Sequence, residues 1–96
     1  MKPSEALQRH REEILRIAEQ NHTLNPRVFG SVLHGKDNEG SDLDLLVEPL
    51  PDTTLMDIAR IQNRLQKLTG VTVDVLTPNA LPKSLRDQVL AEALPV

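Results

Sequence analysis

Residues 42–47 read Asp-Leu-Asp-Leu-Leu-Val, alternating polar and apolar over the first four positions before turning wholly apolar. In a strand, side chains two residues apart share one face at a spacing of ~6.6 Å. Asp42 and Asp44 would then project together, while Leu43, Leu45 and Val47 fill a core on the other side. Pro49 and Pro51 end the run. A strand with one apolar face must be covered by another layer, and this requirement narrows the fold more than any other stretch of the chain.

The segments around it supply that cover. Residues 4–20 set Ala6, Leu7, Ile14, Ile17 and Ala18 on one helical stripe, with Ser4 as the expected N-cap. Asn25-Pro26 breaks the pattern, and Arg27-Val28-Phe29-Gly30 reads as a short strand running into Gly30-Ser31. Val32-Leu33-His34 fits one helical turn before Gly35. A second helix is expected from Thr53 or Thr54 to Thr69. Thr54 and Asp57 resemble a capping box, Gly70 is the stop, and Leu55, Ile58, Ile61, Leu65 and Leu68 form the stripe. Val71–Thr77 is β-branched and alternating, ended by Pro78, and gives a third strand. A last helix within Pro82–Ala93 places Leu85, Val89, Leu90 and Ala93 on one face, and Leu81, Leu85 and Leu94-Pro95-Val96 are assigned to the core. The order α, β, β, α, β, α predicts one α/β (α+β) domain over residues 1–96, a small mixed sheet with flanking helices.

Composition bounds the function. Leu, Ile, Val and Phe make up 29 of 96 residues, enough for a core. A net charge of -3 and a single aromatic residue, Phe29, disfavour direct nucleic acid binding, which relies on basic patches and stacking platforms. The absence of cysteine excludes disulfides and thiolate metal sites and fits a cytoplasmic protein. No segment has the length and apolarity of a membrane span. Seven of the 14 acidic residues lie between positions 37 and 57, so the negative charge is local.

Like charges set side by side on one strand face are unfavourable unless a cation offsets them. Hard divalent cations such as Mg²⁺ favour carboxylate oxygen, and two-metal phosphoryl-transfer sites need carboxylates that bridge the ions. Asp74, between Val73 and Val75, faces away from the core and would join Asp42 and Asp44 if the strands pair. Ahead of them, Gly30 permits close backbone approach, and Ser31 opens a helical turn whose N–H groups suit phosphate.

The pattern Gly30-Ser31, Gly40-Ser41-Asp42-Leu43-Asp44-Leu45-Leu46-Val47, then Val73-Asp74-Val75, resembles the DNA polymerase β-like nucleotidyltransferase superfamily, most closely its minimal nucleotidyltransferases. The resemblance implies that Gly30 and Ser31 bind the nucleotide, and that Asp42, Asp44 and Asp74 are both catalytic and metal-holding, with two Mg²⁺ ions. It also implies attack on the α-phosphate of ATP with release of pyrophosphate. Many members follow the Gly-Ser with arginines, where this chain has Val32, Leu33 and His34; His34 and Lys36 are the cations available in compensation. Larger members carry a further domain for the acceptor, so here the acceptor is expected from another molecule. Members this short resemble antitoxins that transfer AMP to a tyrosine of a HEPN-type RNase toxin in a hetero-oligomer. Two alternatives stand beside this: an antitoxin that neutralises by binding alone, and a nucleotidyltransferase for small molecules or RNA ends.

Overall fold

The computed structural model describes residues 1–96. The chain forms α1 (Pro3–Arg9), α2 (Arg11–Gln20), β1 (Thr23–Phe29), α3 (Gly30–Leu33), β2 (Leu43–Pro49), α4 (Leu55–Thr69), β3 (Val73–Leu76), a 3₁₀ turn (Pro78–Ala80), α5 (Lys83–Glu92) and β4 (Leu94–Pro95). The strands make one mixed sheet in the order β3-β2-β1-β4. β1 pairs antiparallel with β2 and β4, and β2 pairs parallel with β3. Antiparallel neighbours need only a short link, whereas the parallel pair needs a crossover, which α4 provides.

The apolar face of β2 lies where its alternation requires. Leu43, Leu45 and Val47 join Val28, Val73 and Val75 from the neighbouring strands and Leu7, Ile14, Ile17, Ile61 and Leu65 from the helices in one buried cluster. The expected helix over 4–20 is two helices. Its apolar stripe is empty from Gln8 to Glu13, so no core contact holds the axis straight there, and His10 leaves helical geometry at φ -114° and ψ 24°. The first cap is also two positions from its expected place, at Lys2 rather than Ser4. Pro3 occupies the first turn, the Lys2 N–H donates to Glu5 Oε1 at 2.9 Å, and the Ser4 N–H donates to Asp37 Oδ2 at 2.9 Å.

β1 runs through Asn25-Pro26 instead of starting after it. A register irregularity between Leu24 and Arg27, with Asn25 at φ 50°, absorbs the proline as a bulge. α4 is capped as its sequence indicates: the Asp57 N–H donates to Thr54 Oγ1, the Thr54 N–H donates to Asp57 Oδ2 at 2.9 Å, and Gly70 closes the helix at φ 74°. Within its stripe Ile61 and Leu65 are buried, but Leu55 is 88% exposed, because the stripe meets the sheet only after the first turn. Leu68 is also exposed.

α5 departs most from expectation, burying no residue fully. Leu81 is in the core, but Leu85 and Leu94 are exposed, and Leu94-Pro95 adds an unexpected edge strand on β1. Arg86 ties the segment down by donating to the carbonyls of Pro78, Asn79 and Leu81.

Candidate active site

The face of the sheet opposite the core carries the carboxylates. Asp44 lies beside Asp74 in the parallel register of β2 and β3, and beside Phe29 in the antiparallel register of β1 and β2. Asp42 immediately precedes β2 and is exposed, Asp74 is exposed, and Asp44 is half-buried between them. The alternation that sends Val73 and Val75 into the core sends Asp74 to this face.

Burial, first, and the nearby charges of Asp74 and Asp42 push the Asp44 carboxyl up to about 6 from an ordinary value of 3.8. None of the three carboxylates forms an ion pair with a basic side chain. The negative field at this face is therefore uncompensated by the protein. An all-oxygen donor set under such a field suits a hard divalent cation, and the residues fit Mg²⁺ in that sense. The three do not close into a preformed cage: no three His, Cys, Asp or Glu side chains meet closely enough to hold an ion. Mutual repulsion favours that separation.

Gly30 sits against this group. Its φ is 74°, a left-handed value that favours glycine, and a Cβ built on it would collide with Asp44 Oδ2, with the carboxyl carbon at 3.2 Å. Glycine is required here both for the turn from β1 into α3 and for the space beside Asp44. Ser31 follows at the start of α3, whose first N–H groups have no partner within the helix. The helical turn expected at Val32–His34 begins at Gly30 instead.

The two cations considered near this loop do not reach the carboxylates. His34 caps the end of α3 and its Nε2 lies 3.3 Å from Glu92 Oε2 of α5, while Lys36 is exposed. The acidic stretch also divides by role. Asp37 is spent on the Ser4 N–H, which holds its carboxyl below the usual range. Asp57 is buried, and the Thr54 N–H, with His22 beside it, holds its carboxyl low; Arg60 Nη1 donates to it at 3.1 Å. Only Asp42 and Asp44 of that stretch stand with Asp74.

Sequence reasoning missed Gln62 and Gln66 of α4, whose side chains bond the backbone of β3 on either side of Asp74. Nothing in their spacing separates them from other polar helix positions. Only the register of α4 against β3 brings them there.

Three similarities bear on this arrangement. Over 86 residues the chain is 34% identical to a candidate protein adenylyltransferase of Methanocaldococcus jannaschii, covering 90% of this chain and 92% of that one. A solved structure of a candidate minimal nucleotidyltransferase superposes with a TM-score of 0.86 at 43% identity, over 97% of this chain and 95% of the other. A toxin–antitoxin structure containing AMP-PNP shares the fold at a TM-score of 0.74 and 19% identity, over 88% of this chain and 69% of its counterpart. No helix is long and apolar enough to cross a membrane. Residues 8–96 match the nucleotidyltransferase domain family, and the chain belongs to it.

Proposed function

We propose that this chain is a Mg²⁺-dependent protein adenylyltransferase antitoxin, which transfers AMP from ATP to a tyrosine of a HEPN-type RNase toxin in the cytoplasm and thereby silences it. The observation that carries the reading is the shared face of Asp42, Asp44 and Asp74, with Gly30 kept free of a Cβ against Asp44. The adenylyltransferase relative supports the reaction, and the toxin–antitoxin likeness is consistent with a protein acceptor.

The roles follow from the chemistry of each position. Gly30 lets the backbone approach the triphosphate closely, and the Ser31 hydroxyl and the N–H groups at the start of α3 donate to its oxygens. Asp42, Asp44 and Asp74 hold the metal, two ions in this reading, which when bound offsets the charge of the triphosphate and polarises the α-phosphate. Asp74, exposed at the rim, takes the proton of the attacking tyrosine hydroxyl. The hydroxyl oxygen bonds to the α-phosphorus as the bond to the β-phosphate oxygen breaks, and pyrophosphate leaves. A phosphodiester on the toxin adds negative charge and bulk where RNA phosphates must bind.

Incubating the HEPN-type partner with this chain, ATP and Mg²⁺ is expected to add one or more adenylyl groups to it by intact mass. Asp44→Asn abolishes the gain. A partner of unchanged mass with every component present overturns the reading. Neutralisation by binding alone is the second reading, favoured by the absence of arginine at positions 32–34 and by the pairing of His34 with Glu92. Under it, Asp44→Asn still protects cells from the toxin.

A further inference from the structure

β3 is a four-residue border strand, and it carries Asp74. In a parallel pair, alternate residues turn their backbone groups toward the neighbouring strand. The Leu43 N–H donates to the Thr72 carbonyl at 2.8 Å, so the even-numbered residues of β3 face β2. Val73 and Val75 turn their N–H groups outward, where water would ordinarily take them.

Here α4 takes them. The Val73 N–H donates to Gln66 Oε1 and the Val75 N–H to Gln62 Oε1, each at 3.1 Å. The match is geometric: residues four apart rise ~6.0 Å along a helix and residues two apart ~6.6 Å along a strand. The helix runs opposite to the strand, so Gln66 meets Val73 and Gln62 meets Val75. Both glutamines are half-buried. The backbone is thus gripped on both sides of Asp74, while the Val73 and Val75 side chains are buried in the core. A strand fixed at three consecutive residues cannot turn about its own axis, and turning is the motion that would carry the Asp74 carboxylate away from Asp44.

We propose that Gln62 and Gln66 are positioning residues for Asp74, keeping its carboxylate on the face it shares with Asp44; this rests on the role given to Asp74 above. Methionine keeps the length of glutamine without the acceptor, and glutamate keeps the acceptor. In the Q62M/Q66M variant, amide exchange at Val73 and Val75 is expected to accelerate. Its kcat for adenylyl transfer should fall about ten- to hundredfold, the scale of a misplaced catalytic group. Its half-saturating Mg²⁺ should rise, while KM for ATP stays within about twofold.

Q62E/Q66E is expected to restore slow exchange and most of the kcat. A Met variant within twofold of the wild type in both kcat and Mg²⁺ response overturns the proposal. So does a Glu variant as impaired as the Met variant, with losses that follow melting temperature alone. Should the wild-type chain transfer nothing, the functional reading fails separately. Mg²⁺ titration followed by the NMR shift of the Asp74 carboxyl carbon then decides the positioning. Saturation at lower Mg²⁺ in the wild type than in Q62M/Q66M supports it, and equal or flat curves overturn it.

Discussion

The two faces of β2 follow opposite rules. On one, Leu43, Leu45 and Val47 are each no more than 1% exposed and pack with residues from five other elements. On the other, one residue along, Asp44 is half-buried with like charges as neighbours and its carboxyl is driven up to about 6, with the buried Leu46 next to it on that face. One strand thus carries both core burial and a built-in destabilisation, separated only by the pleat. The difference teaches that the carboxylate face is held in place by the apolar face behind it, since nothing on its own side favours three carboxylates together.

Breaking the apolar face has the largest expected effect. Leu45→Ala leaves a cavity in the centre of the cluster and should lower unfolding free energy by about 2–5 kcal/mol in denaturant titration. Gly30→Ala acts where the faces meet. The left-handed backbone costs about 1–2 kcal/mol with a Cβ present, and the Asp44 carboxylate must move aside. Transfer activity should therefore fall far more than stability, measured as kcat against the urea midpoint.

Asp44→Asn sharpens the comparison from the other side. Because folding raises this carboxyl from 3.8 to about 6, the native state binds its proton more tightly than the unfolded chain. Its contribution to stability is present at low pH and is lost as pH rises through that window. The asparagine variant should therefore be more stable than wild type above pH about 6. The gain is of order 1 kcal/mol after allowance for solvent screening. It should vanish below pH about 4, where the carboxyl is protonated in both states. Melting curves at several pH values check this, and a variant less stable at pH 8 contradicts it. The smallest effect is reserved for α5: Leu85→Ala, at a side chain 49% exposed, should change stability by less than about 0.5 kcal/mol.

What was legible in the residues was whatever depends on neighbours close in the chain. The alternation within Asp42–Val47, the Thr54–Asp57 box and the left-handed stop at Gly70 each involve a few consecutive positions and occur as read, although β2 starts at Leu43 and Pro49, expected to end it, still pairs with Thr23. The mixed sheet was read from the order of elements, and the meeting of Asp44 with Asp74 was conditional on their strands pairing, which the parallel register of β2 and β3 meets. The break at His10, the bulge at Asn25-Pro26 and the β4 pairing depend on what the sheet offers at a distance. So does the exposure of Leu85, because a helical stripe shows that a face is apolar but not whether anything lies opposite. For Gln62 and Gln66 no local signal exists, since they matter only through the register of α4 on β3.

Glutamine oxygens on the outward amides of Val73 and Val75 also govern how this sheet meets other chains. A valine-rich border strand with free donors is a template for strand addition and, through it, for aggregation. Both outward donors of β3 are engaged within the molecule. The opposite border is the two-residue β4, ending on Pro95, which has no N–H to give. Neither of these border strands offers a row of free donors, so association by lengthening the sheet is disfavoured there relative to side-chain complementarity on other surfaces.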